Sequence, residues 1–337
     1  MNKKNDCLNF LKGIGCIGVV FMHWTFPGTL GEETKYLFSW VVPMFFMIAG
    51  FYLYQGNLEV EVAKTPKKIW RTAKITGIAL VLYYLFLIIR TAFVGDSVRE
   101  VIGDLNIKNV AKLIILNDTD FTGAGHLWFM VALLYAYITF WIFGKIGKVR
   151  LLYPCMIVSF LGRGIVAAQT NDHHLLLSYW FSGFLFFFFG YWIRQHIRWI
   201  ASVKSVWFIV AAFSGIVLHV LADVMGITTP YVNIFEYLLL FSAMALFLLA
   251  QKYPDFGKGN ICYKIGEKYS MNVYLYHIFI RDGMTAVERR FLSGVNYPQW
   301  YWWGKPILIV IITLLLCLII EKISNAIVHM YTSNRKL

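Results

Sequence analysis

Apolar residues fall in long runs along this chain, and short polar, mostly basic stretches separate them. A run of roughly 20 mainly apolar residues spans the hydrocarbon layer of a membrane as a helix. Ten segments meet that length, at approximately 8–26, 36–55, 74–94, 127–143, 151–168, 176–193, 205–224, 233–250, 270–288 and 306–322. The expected fold is therefore all-α, a polytopic transmembrane helical bundle of about ten spans. The ninth segment is the least regular. It holds Arg281, Asp282 and Glu288, so it is expected to stop short or to lie partly buried in protein.

The polar stretches set an orientation. With the N-terminus inside, 20 Lys and Arg fall in inner loops and tails, 7 in outer loops and 4 within apolar segments, out of 31. Cytoplasmic loops carry the excess of Lys and Arg, so both termini are expected to be cytoplasmic. The four cations inside apolar segments are Lys12, Arg90, Arg163 and Arg281. Each costs at least about 2.5 kcal/mol at mid-bilayer, and such residues usually face a cavity or a partner. Arg90 is near a segment end, where snorkelling serves as well.

Composition supports the membrane reading. The 337 residues are 59% hydrophobic and 15% charged, with a mean hydropathy of +0.61. A soluble domain of this size has no means of hiding so much apolar side chain. No polar linker divides residues 1–337, so a single integral membrane domain is expected, and the first apolar run reads as a retained span because no cleavage site follows it. The net charge of +13 lies between apolar runs and argues for membrane lipid rather than nucleic acid. The five cysteines show neither a disulfide framework nor a metal-ligand spacing. His173-His174 has no third ligand nearby in sequence, and no metal is assigned.

The first segment carries the sharpest chemical signal. Lys12 and His23 are eleven residues apart, which places both on one helix face about 16 Å apart along the axis. Gly15 and Gly18 leave room beside them for another helix or a thin ligand. On spacing alone, a structural reading is open too: the histidine bonds a neighbouring helix and the lysine snorkels.

Five motifs in order extend the signal. Lys12-x10-His23 resembles the Arg-x10-His opening of the acyltransferase-3 family of bacterial integral membrane acyltransferases, with Lys in place of Arg. Phe45-Phe46-Met47-Ile48-Ala49-Gly50-Phe51 is similar to its Phe-Phe-x-x-Ser-Gly-Phe, with Ala49 for Ser. Lys68-Ile69-Trp70-Arg71, in the next inner loop, resembles its Arg-x-x-Arg. His126-Leu127-Trp128-Phe129-Met130 resembles its His-Leu-Trp-Phe-Leu, and Ser270 to His277 its late Ser-x-x-x-Tyr-Leu-x-His. The two Lys-for-Arg departures keep charge and lose the bidentate fork.

That resemblance implies transfer of an acyl group, often acetyl, from cytoplasmic acyl-CoA to a hydroxyl of an extracytoplasmic or lipid-linked glycan, in the bacterial plasma membrane. It implies no permanently bound cofactor; acyl-CoA is the donor substrate. Lys68, Arg71 and Lys74, with Lys64 and Lys67, are then expected to hold the donor's phosphates, although plain positive-inside topology explains them equally. His23 is the expected general base, and Lys12 is expected at the mouth of the path that the donor's pantetheine arm follows along the first segment. His126, Trp128, Arg163, His277 and Arg281 are further candidates for lining the site.

Softer features remain open. His219 and Asp223 share a helix face, and Asp118 and Asp120 precede His126. Trp300, Tyr301, Trp302 and Trp303 suit an interfacial aromatic belt better than a sugar platform. Two other functions compete. A transporter or flippase would use Lys12, Arg163 and Arg281 on a moving anion, though no paired halves are visible; a sensor or scaffold would retain the motifs as remnants.

Overall fold

The structure, a computed structural model, describes residues 5–169, 173–227 and 231–333, less the side chains at 168, 173, 222–223, 231–237 and 328–333. Among these residues there is helix and no strand. The helices are α1 (Asp6–His23), α2 (Thr29–Leu37), α3 (Val41–Phe51), α4 (Leu58–Val94), α5 (Val98–Gly103), α6 (Ile107–Leu116), α7 (Trp128–Lys145) and α8 (Leu152–Gln169). There follow α9 (His173–Leu176), α10 (Leu185–Gln195), α11 (Ile197–Ser202), α12 (Ser205–Val224), α13 (Tyr231–Lys252), α14 (Ile261–Lys268), α15 (Ser270–Phe291) and α16 (Gln299–Ser333).

Six described segments are long and apolar enough to cross a membrane: Asp6–His23, Thr29–Phe51, Leu58–Val94, Gly125–Lys145, Val149–Ala167 and Gln299–Ile327. Within α12 and α13, the stretches Ser205–Leu221 and Leu238–Lys252 are apolar as well. Ile78, Val81, Leu85 and Ile89 on α4, and Ile307, Ile311, Leu315 and Ile319 on α16, point outward. Such rows of exposed aliphatics belong in lipid rather than water.

Contacts gather the chain into two compact units. One comprises Met1–Leu8 and Ser39–Phe256, the other Asn9–Phe38 and Gly257–Leu337. In the first unit α3 and α10 cross backbone to backbone: a Cβ on Gly50 would overlap the Phe187 carbonyl, and one on Gly190 the Met47 carbonyl. α12 and α13 close similarly, with Gly215 against Leu238 and Ser242. Small residues at such crossings replace the hydrophobic drive that lipid removes.

Two expectations need correction here. Lys68 to Arg71 lie on helix, not in a loop, because α4 begins at Leu58. Asn57 caps it by accepting from the Val60 N–H at 3.1 Å, and Glu59 and Glu61 fill the acidic first turn. The expected span over 176–193 is broken, too. α9 ends at Leu176, a π-helical turn covers Tyr179–Phe184, and α10 follows. Arg163 of α8 satisfies the carbonyls this break releases, donating to Leu176, to Phe181 at 3.3 Å and to the Ser182 hydroxyl at 3.0 Å.

In the second unit, α1 packs on α14 and α15. Gly13 lies against the Cys262 backbone, Gly266 against that of Asn9, and Cys16 Sγ is 3.7 Å from the Ser270 carbonyl. Gly18 makes room for the ring of Phe38.

Candidate functional site

α1 ends at His23, and the chain then turns toward α2. A cavity of about 700 Å³ opens at this turn, within the second unit, lined by His23, residues 24–28, Glu32, Gln299, Trp302 and Trp303. The His23 ring is exposed to it. Opposite stands His277 of α15, whose ring centre is 5.1 Å from that of His23. His277 is buried, and its Nδ1 lies 2.9 Å from the Val273 carbonyl. In the neutral ring that contact requires Nδ1–H as donor and leaves Nε2 with the lone pair. One turn further along α15, Arg281 places Nε 2.6 Å from Oδ1 of the buried Asp282. Lys12 lies half-buried on α1, eleven residues before His23.

The cavity wall rests on a buried charge cluster that the sequence reading had not assembled. Lys305, one of the seven cations assigned to outer loops by the hydropathy pattern, lies inside α16, and its side chain is fully buried. Its Nζ is 2.6 Å from Glu288 Oε2 and 3.9 Å from the centre of the Trp24 ring. The Tyr301 hydroxyl also donates to Glu288. A cation so deeply buried is stable only when paired and when its protons are used. The cluster joins the residue after His23 to α15 and to the aromatic wall, where Trp303 faces Phe26 at 6.2 Å. The available signal was an acid inside the ninth segment and a lysine just ahead of the tenth, both at the same end.

The other predicted site residues sit in the first unit. Lys68 is half-buried, its Nζ 5.7 Å from the Tyr137 ring centre, whereas Arg71 and Lys74 are exposed along α4. His126, just ahead of α7, is buried with its ring edge-on to Tyr83 at 5.1 Å. Tyr83 is about 22 Å along α4 from Lys68, so His126 and the basic turns occupy different ends of that helix. Trp128 packs near Phe46 at 6.1 Å. Arg163 is built into the α9–α10 break.

Asp118, Asp120 and His174 bring three donor groups within 4.8 Å of one another, an approach hidden by chain order. Burial and the Asp118 carboxylate push the Asp120 carboxyl up, while His174 and Lys112 pull it back. His219 is buried on α12; the side chains of Asp223 and His173 lie outside the described residues.

Apolar membrane helices, with two imidazoles facing each other beside an open cavity at a helix end, define a membrane-embedded protein with a histidine-centred site. Residues 5–322 match the family model described as an acyltransferase domain, nearly the whole chain. The chain belongs to the acyltransferase-3 family of membrane acyltransferases. No curated protein and no solved structure matches it.

Proposed function

We propose that the protein moves an acyl group, acetyl in particular, from cytoplasmic acyl-CoA to a hydroxyl of a cell-surface or lipid-linked glycan, in a bacterial plasma membrane. The observation that carries this reading is the pairing of His23 and His277 at 5.1 Å beside a 700 Å³ cavity. Ligand sites are commonly cavities of about 300–1,000 Å³ with aromatic walls and a few convergent polar groups.

In this reading the acceptor occupies the cavity against Trp302 and Trp303, and its hydroxyl meets a ring nitrogen of His23. His23 takes the hydroxyl proton as the oxygen attacks the thioester carbonyl. The C–S bond breaks, the acyl group stays on the acceptor, and the imidazolium returns its proton to the departing thiolate. His277, with Nδ1–H held by Val273, keeps one fixed orientation and limits the tilt of the His23 ring. Lys12 sits on the same face of α1, where an anionic donor passes. Lys68, Arg71 and Lys74 attract the donor's phosphates. Ten spans with both termini cytoplasmic complete the proposed topology.

The test is transfer by the purified protein in nanodiscs, from acetyl-CoA to glycan fractions of the native envelope, followed by mass spectrometry. Acetylated glycan and free CoA in equal amounts support the reading. Movement of glycan across the bilayer without acetylation supports a flippase instead.

A further inference from the structure

A second cavity, of about 460 Å³, lies in the first unit where three connections meet: the turn into α4, the turn between α7 and α8, and the end of α10. All three are segments the charge count places on the inner side. Its wall includes Tyr54, Tyr153, Tyr191, Glu61, Arg150 and Gln195. Gly56 (φ +86°) and Gly147 (φ +70°) hold left-handed turns at its edge, leaving backbone without side chain there.

The polar side of this cavity is built, not incidental. Glu61 is 1% exposed, deep at the wall. Its Oε1 accepts from the backbone N–H groups of Gln55 at 2.6 Å and Gly56 at 2.9 Å, and its Oε2 accepts from the Tyr191 hydroxyl at 2.6 Å. A carboxylate has about four acceptor positions, so these three bonds leave one on Oε2. Tyr191 stands edge-on to Tyr54, ring centres 5.4 Å apart, and Tyr153 donates to Gln195 across the opening. Cations stand at the rim: Arg150 itself, and Lys64, whose Nζ is 2.6 Å from Gln55 Oε1. Aromatic faces, one buried acceptor and rim cations together suit a flat heteroaromatic ring that donates from an amine and carries phosphate.

We propose that this cavity seats the adenine nucleotide of the acyl-CoA donor. The base stacks on Tyr54 and Tyr153, its exocyclic amine donates to Glu61, and its phosphates lie toward Arg150 and Lys64. The inference rests on the acyl-CoA reading above and adds a base-recognition site to the phosphate contacts expected on α4. Stacking on an aromatic side chain is worth about tenfold or more in affinity, and a buried acceptor left facing an amine-free base disfavours binding.

The test is binding of adenosine 3′,5′-bisphosphate to the whole protein in nanodiscs, beside transfer from acetyl-CoA and from acetyl-pantetheine, which lacks the nucleotide. Tyr153→Ala and, separately, the surface change Arg150→Ala should each weaken the bisphosphate about tenfold. Each should also shrink the advantage of acetyl-CoA over acetyl-pantetheine by the same factor. Wild type should prefer the adenosine to the inosine bisphosphate, and Glu61→Gln should reduce that preference. Unchanged bisphosphate affinity in both Tyr153→Ala and Arg150→Ala overturns the proposed seat while leaving acyl-CoA as donor. Wild type that transfers nothing from acetyl-CoA and binds no bisphosphate overturns the donor reading, and this inference with it.

Discussion

Lys305 holds its ammonium 2.6 Å from the Glu288 carboxylate with none of its side chain exposed, so α15 and α16 meet at a buried ion pair. Trp24 caps the cation, and Trp24 follows His23 directly. Lys305→Ala leaves the part-buried Glu288 with the Tyr301 hydroxyl but without its cation, and losing one member of a buried pair costs up to about 3–5 kcal/mol. The unfolding midpoint of the purified protein should fall sharply. Changing both together, Lys305→Met with Glu288→Gln, should recover most of it, and the double-mutant cycle measures the coupling.

The crossing of α3 and α10 makes a second prediction. Gly50→Ala places a methyl group in the Phe187 backbone, where no flexible side chain is available to yield. Gly77→Ala, on α4 with open space beside it, is the control. Overpacking costs about 1–3 kcal/mol or more. Folded yield by fluorescence-detected gel filtration should drop for Gly50→Ala and hold for Gly77→Ala.

Topology is tested by accessibility. A reporter fused after Leu337 should be cytoplasmic, and cysteine labels at Asp104 and His174 should react from outside. A C-terminus on the outer side would reverse the direction of transfer proposed above.

Much of the helical layout was legible because lipid demands apolar runs, and each expected segment carries helix. The polar start of α4 was not. Hydropathy reports burial in lipid, so a helix that continues into water looks like a loop, although the Asn57 cap and the acids behind it marked its start. The motif order pointed to His23 and His277, but nothing in their spacing says that the rings meet, because a contact across 254 positions depends on how α1 and α15 pack. The Glu288–Lys305 pair was hidden for the same reason. So was Glu61, whose carboxylate serves the turn at Gln55 and Gly56 rather than any neighbour on its own helix face.

The basic turns of α4 should act on donor binding. Lys68→Ala with Arg71→Ala should raise KM for acetyl-CoA more than it lowers kcat, since phosphate contacts serve the ground state and the transition state alike. Acetyl-pantetheine should be less affected. Equal losses with both donors would assign these residues to folding or to lipid contact.

His23 carries the central claim. His23→Ala removes an imidazole exposed to a cavity, so the protein should fold and insert normally. Lys12→Ala should weaken donor binding first, while Lys12→Arg keeps the charge and much of the affinity. The most direct measurement sets acetyl-CoA affinity beside turnover for His23→Ala in one nanodisc preparation. Affinity should stay near wild type while transfer falls about 10²–10⁴-fold, the usual contribution of a positioned acid–base group. Wild-type turnover in a variant that binds donor normally would contradict the assignment of His23 as the base.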